Sequence, residues 1–226
     1  MIDWNNIDTV FLDMDGTLLD LRFDNHFWLN HVPMRYAELH NISVEAAKQV
    51  LFPKMQALRG QLSWYCTDFW SNELDLPIIE LKQEVSHLIQ TRPHVLPFLD
   101  GLKAAGKELV LFTNAHEDTL GLKMQKTGLT GAFDKTITSH SLGHAKEAIE
   151  SWQTLQKNHD FKPETSVFID DSFSVLDCAQ KFGIQYLFGI ALPDSSRDAL
   201  RHDEYTLLES FEQIMPGSPL EVSDEL

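Results

Sequence analysis

The chain has 226 residues of which 43% are hydrophobic, enough for a globular protein with a real core or a core carrying a sizeable insertion. Thirty-four carboxylates against eighteen lysines and arginines give a formal charge of -16, which disfavours nucleic-acid polymers and anionic membranes as partners. The same field repels a phosphate monoester, so phosphate chemistry here requires a bound cation and a well-placed lysine.

Met1 to Asn6 lacks the basic flank and apolar stretch of a signal peptide, and no run of about 18 apolar residues occurs, so a cytoplasmic location is expected. Thr9-Val10-Phe11-Leu12 is a short β-rich run that stops at Asp13-Met14-Asp15-Gly16-Thr17. From Asp20 to about Arg92 the spacing is helical, with helices expected over 23–40, 44–58, 64–74 and 80–91. Strand-helix alternation then begins. A helix over 95–105 closes at Gly106, and a strand over 108–112 stops at Thr113-Asn114. A weaker strand over 135–138 and a helix over 146–157 follow. A strand over 166–169 stops at Asp170-Asp171-Ser172, ahead of a helix over 174–182 closed by Gly183 and a weak strand over 184–188. The run from Pro216 to Pro219, followed by acidic residues, reads as part of a frayed tail over 216–226. Fully apolar strands alternating with helices predict an α/β fold. A Rossmann-like parallel sheet core is expected over 1–19 and 93–215, interrupted by an all-helical insertion over 20–92.

In such open sheets the binding crevice lies at the carboxyl ends of the strands, so the three polar clusters should converge. Two aspartates two residues apart at a strand end supply one carboxylate able to attack phosphorus and one able to serve as acid and base. Gly16 permits a tight turn whose N-H groups can face phosphate oxygens. A calcium loop is disfavoured, because glycine follows the second aspartate directly and Asp24 stands where an EF-hand carries glutamate. Thr113 offers a hydroxyl to a phosphate oxygen and Asn114 an amide to orient substrate, although the two by themselves would be an ordinary helix cap. Asp170 and Asp171 are hard oxygen ligands suited to Mg2+, and Lys146 can neutralise phosphate charge. In isolation, adjacent loop acids or a helix lysine are commonly just solvated.

Taken together, these four elements resemble the haloacid dehalogenase-like hydrolase superfamily over nearly the whole chain. Asp13 to Thr17 look like its first motif, Thr113 its second, Lys146 its third and Asp170-Asp171 its fourth. The resemblance implies Asp13 as nucleophile, Asp15 as acid and base, and Thr113 and Lys146 as binders of the transferring phosphoryl group. It implies Mg2+ held by the Asp13 carboxylate, the Asp15 carbonyl and Asp170, with Asp171 hydrogen-bonded behind them. Asp15 also separates the phosphatases from the dehalogenase branch, whose halide leaving group needs no proton. One departure is Glu147, which follows Lys146 where proline is common.

The insertion resembles the helical cap of that superfamily, the place where specificity is expected. It holds Trp28, Trp64, Trp70, Tyr65, Phe23, Phe27 and Phe69, with Arg22, Lys54 and Arg59 as polar candidates. Such rings can stack a purine or simply fill the core of the cap, the more ordinary use. The stretches 59–66, 168–172 and 192–195 are similar to the bacterial GMP/IMP nucleotidase branch, which implies a purine nucleoside monophosphate substrate and cap contacts from Arg59, Trp64 and Tyr65. No obligate protein partner is implied. Alternatives are a sugar-phosphate or phosphoglycolate phosphatase, a phosphomutase, or a silent regulatory module that keeps the fold. His140 and His144 read as polar loop residues rather than metal ligands. Cys66 and Cys178 read as small buried thiols.

Overall fold

A computed structural model describes residues 2–217. Most of the expected tail, residues 218–226, lies outside the described residues. Among the described residues six strands form one parallel sheet in the order β3-β2-β1-β4-β5-β6. Chain order begins with β1 (Thr9–Leu12) and then passes into α1 (Arg22–His26), a π-helical turn (Phe27–His31) and α2 (Val32–His40). The helices α3 (Val44–Leu58), α4 (Leu62–Tyr65), α5 (Thr67–Leu74) and α6 (Ile78–Glu84) complete the helical stretch. Next come α7 (Val95–Ala104), β2 (Glu108–Thr113), α8 (Glu117–Thr127), β3 (Lys135–Thr138) and α9 (Ser139–Leu142). The chain continues with α10 (Ile149–Asn158), β4 (Ser166–Ile169), α11 (Phe173–Phe182), β5 (Tyr186–Ile190) and β6 (Thr206–Leu208).

The central strands β1 and β4 are buried along their whole length, and apolar after Thr9 and Ser166, because both faces of the sheet are covered. Their side chains alternate between two cores. Val10, Leu12, Leu109, Leu111, Val167 and Ile169 enter one core, while Phe11, Val110, Phe112 and Phe168 enter the other. In that second core Trp152 of α10 meets Phe112 and Phe168 edge-on, with ring centroids 5.2 and 5.0 Å away. The strand order reverses at β1, between its neighbours β2 and β4, which places the switch-point crevice above Asp13 and Asp170.

The helical stretch leaves and rejoins the sheet side by side. Arg92 N donates to Leu18 O at 2.9 Å and Asp20 N to Gln90 O at 3.0 Å, with a bridge between Leu19 and Thr91. The helix expected over 80–91 ends early, at Glu84, and a short 3-10 turn over Ser86–Leu88 leads from it into this pairing ahead of Pro93. The helix expected over 64–74 likewise breaks at Cys66, whose sulfur accepts from Phe69 N and starts α5. The turn at 193–196 buttresses the same junction. Leu21 N donates to Pro193 O at 2.9 Å, and the buried Asp194 accepts from Asn25 Nδ2 at 2.6 Å. The edge strand β6 is an addition to the expected set. Among the described residues no helix is long and apolar enough to cross a membrane.

Candidate active site

The loop after β1 is fixed by its neighbour strand, since Asp13 N donates to Ile169 O at 3.0 Å. This aims the buried Asp13 carboxylate at the ends of β2 and β4. Lys146, in the turn three residues ahead of α10, brings its ammonium to Asp13 Oδ1 at 2.5 Å, to Asp170 Oδ2 at 2.6 Å and to Phe112 O at 3.2 Å. All three of its protons are committed. Burial opposes charge on Lys146, but Asp13 and Asp170 overcome it and hold the amine protonated, well above its ordinary value. Trp152 Nε1 holds the Lys146 carbonyl at 3.0 Å, so the second core also positions this lysine.

Three carboxylates crowd one point. Oxygens of Asp13, Asp170 and Asp171 lie within 4.8 Å of one another. Burial, against the pull of Lys146, raises Asp13 to about 6, and it also raises Asp170. Asp171 is pushed well above its ordinary range by burial and then by its neighbours Asp170 and Asp13. One lysine does not balance three acids, and an all-oxygen set at this spacing fits a hard divalent cation. Asp171 is the third member of this acidic set. Its approach depends on Gly16, whose φ is +86° and where a Cβ would collide with the Asp171 carboxylate.

Thr113 Oγ accepts from Ala115 N at 3.1 Å, which leaves its own proton to donate. Asn114, expected to touch substrate, is largely engaged by the protein: Oδ1 accepts from Lys146 N at 2.9 Å and Nδ2 donates to Glu147 Oε2 at 3.0 Å. The other Glu147 oxygen accepts from Tyr65 OH at 2.5 Å, tying α4 to the turn ahead of α10. Glu147, the departure from the familiar pattern, is therefore a junction between α4 and the turn that carries Lys146.

A cavity of about 990 Å³ opens over these groups, lined by Asp13, Asp15, Thr113, Lys146, Asp170 and Asp171 on the sheet side. From the helical stretch it is lined by Phe52, Met55 and Gln56 on one face of α3, by Arg59 just past the end of that helix, and by Trp28, Trp64 and Tyr65. Trp70, Phe23 and Phe27 are buried in the core, whereas Arg22 and Lys54 do not line the cavity and Lys54 pairs with Glu73 on the surface.

A family model for haloacid dehalogenase-like hydrolase matches residues 7–183. The chain belongs to the haloacid dehalogenase-like hydrolases. Among curated proteins, the GMP/IMP nucleotidase YrfG of Escherichia coli (strain K12) is 37% identical over 216 residues, covering 96% of this chain and 97% of that one. A HAD phosphatase from Thermococcus onnurineus superposes with a TM-score of 0.76 at 22% identity, covering 92% of this chain and 96% of its own. L-2-haloacid dehalogenase from Xanthobacter autotrophicus superposes with a TM-score of 0.56 at 20% identity, over 82% and 78% of the two chains. These two likenesses are of fold.

Beyond the motif residues, this hydrolase carries a charged group that the sequence reading missed. Lys123 of α8 contacts Asp15 Oδ1 and Asp24 Oδ2, each at 2.6 Å, and Lys82 of α6 contacts Asp24 Oδ1 at 3.3 Å. Burial raises Asp15 to about 6 against the pull of Lys123, whereas Lys123 and Lys82 together overcome burial and hold Asp24 below its ordinary value. The available cue was a lysine at 123 sharing a helix face with Thr119 and Leu120. His140 is not a loop residue: it lies in α9, half-buried, its ring 5.0 Å from that of His116. Cys178 is buried and Cys66 half-buried, both free thiols.

Proposed function

We propose that this hydrolase removes phosphate from purine nucleoside 5'-monophosphates, with GMP and IMP preferred, by a magnesium-dependent route through an aspartyl-phosphate on Asp13. The reading is carried by Lys146 lying between the carboxylates of Asp13 and Asp170, at 2.5 and 2.6 Å, on the floor of a cavity large enough for a nucleotide. The likeness to the nucleotidase supports the substrate class, and Trp28 and Trp64 on the cavity wall suit a purine ring.

In this reading the Asp13 carboxylate attacks phosphorus and the bond to the ribose 5' oxygen breaks as Asp15 gives that oxygen a proton. Asp15 then takes a proton from water attacking the aspartyl-phosphate, which frees phosphate and restores Asp13. Thr113 donates to a phosphate oxygen, and Lys146 offsets charge on the nucleophile and the phosphoryl group. The Asp13 carboxylate, the Asp15 carbonyl and Asp170 would hold Mg2+, with Asp171 alongside. When bound, the ion supplies charge neutralisation and alignment of phosphate with nucleophile. The insertion, taken over 20–92, acts as a cap that keeps bulk water from the site.

The test is phosphate release from GMP, IMP, AMP, pyrimidine monophosphates and sugar phosphates, with EDTA and Asp13→Asn as controls. GMP and IMP are expected to lead, with both controls inactive. A sugar-phosphate preference would transfer the substrate assignment to a sugar-phosphate phosphatase, and turnover of nothing would sink the enzymatic reading.

A further inference from the structure

Lys123 is 1% exposed, touches two carboxylates and is not among the residues that line the cavity. Asp15, Asp24 and Lys82 do line it. The four side chains form an alternating row, Asp15, Lys123, Asp24, Lys82, of zero net charge that crosses from the sheet to the helical insertion. Asp15 follows β1 and Lys123 sits on α8, while Asp24 and Lys82 come from α1 and α6. Such a row is an unpromising source of stability. Taking charges out of water is costly, and apolar residues of similar volume commonly serve folding as well or better. What the row does provide is geometry. Lys123 engages one Asp15 oxygen, Oδ1, and the Asp15 carboxylate has no other hydrogen-bond partner among the described residues. Its orientation toward the cavity is therefore set by one ammonium, and that ammonium is shared at equal distance with Asp24 of the insertion. Lys82 in turn is packed on the Phe27 ring, 4.5 Å from its centroid, so the far end of the row is anchored in the insertion's own aromatic core.

We propose that Lys123 is a positioning residue for the acid-base step, holding the Asp15 carboxylate in place and, through Asp24, making that placement depend on the insertion being seated. The proposal rests on the reading of Asp15 as the acid for the departing ribose oxygen. A misplaced acid matters in proportion to the leaving group's need of a proton: a ribose 5' alkoxide needs one and p-nitrophenolate does not.

The experiment compares kcat/KM on GMP and on p-nitrophenyl phosphate, in magnesium, for the wild-type protein, Lys123→Met, Asp24→Asn and Asp15→Asn; kcat/KM covers only the steps up to departure of the leaving group and so omits the hydrolysis of the aspartyl-phosphate, which draws on Asp15 whatever the substrate. Lys123→Met should lose about 30-fold more kcat/KM on GMP than on p-nitrophenyl phosphate, a share of the roughly 100- to 10,000-fold that a positioned acid contributes. Asp24→Asn should shift the ratio in the same direction by a smaller factor, and it retains the Lys123 to Asp15 contact if the methionine variant fails to fold. Equal losses on both substrates in the folded variants, or no loss, would overturn the positioning role while Asp15→Asn still shows its selective loss. Should Asp15→Asn itself lose both substrates equally, the acid assignment falls, and the role given to Lys123 falls with it.

Discussion

Tyr65→Phe removes a single oxygen, the hydroxyl that donates to Glu147 Oε1 at 2.5 Å across the junction between α4 and the turn that carries Lys146. The carboxylate keeps Asn114 Nδ2 at 3.0 Å on its other oxygen, so no buried charge is orphaned. Burial, reinforced by the Glu147 charge, pushes the phenol well above its ordinary range, which keeps it a donor at every working pH. Hydrogen bonds to charged groups contribute about 1.5–3 kcal/mol, and because both partners are half-buried water recovers part, leaving a loss of about 1–1.5 kcal/mol. If the bond seats the insertion over the reacting phosphate and steadies Lys146 through Asn114, kcat/KM falls about 5- to 13-fold. The assay is initial phosphate release by Tyr65→Phe, Glu147→Gln and the double variant, arranged as a double-mutant cycle. A coupling near 1 kcal/mol is expected, roughly the net worth of such a bond. Additivity within about 0.3–0.5 kcal/mol would show that the contact does not act as a unit and would refute the junction argument.

Trp152→Phe removes the indole donor to the Lys146 carbonyl as well as part of a buried ring; chemical denaturation should show a loss of about 1–3 kcal/mol, with reduced turnover in the protein that remains folded. Magnesium should raise the thermal midpoint of the wild-type protein, and Asp170→Asn should abolish that rise, because the acidic set loses a charged oxygen ligand. Asp13 is raised to about 6 in the metal-free protein, so its proton is retained at low pH and competes with the cation. The magnesium-induced shift should therefore shrink as pH falls through about 6 and be complete above it; a shift independent of pH would contradict this assignment. Burial pushes the Cys178 thiol up to about 11, so iodoacetamide at mildly alkaline pH followed by mass spectrometry should label the half-buried Cys66 and spare Cys178 in the folded chain.

The strand ends were legible because each apolar run stops where the sheet stops, and the parallel register then brings Asp13, Thr113 and Asp170 to one edge. Lys146 was legible from its place in a motif pattern, but the path from Tyr65 through Glu147 and Asn114 to it was not, since 82 residues separate the first two. Lys123, Asp24 and Lys82 look like solvated helix charges in local sequence, and their meeting depends on how the insertion lies on α8. Composition also could not divide the insertion's rings between uses: Trp70 is buried against Trp28 and Trp64, while those two face the cavity. The strand β6 escaped notice because three residues carry too little periodicity to distinguish from loop.

Turnover as proposed passes through a covalent phosphoryl group on Asp13. The direct measurement is acid quench of the wild-type protein during turnover of phosphate-labelled GMP, followed by peptide mapping. A hydroxylamine-labile phosphoryl group on Asp13, absent from the Asp13→Asn protein, is the predicted result. Label on another residue, or steady turnover by Asp13→Asn, would contradict the mechanism.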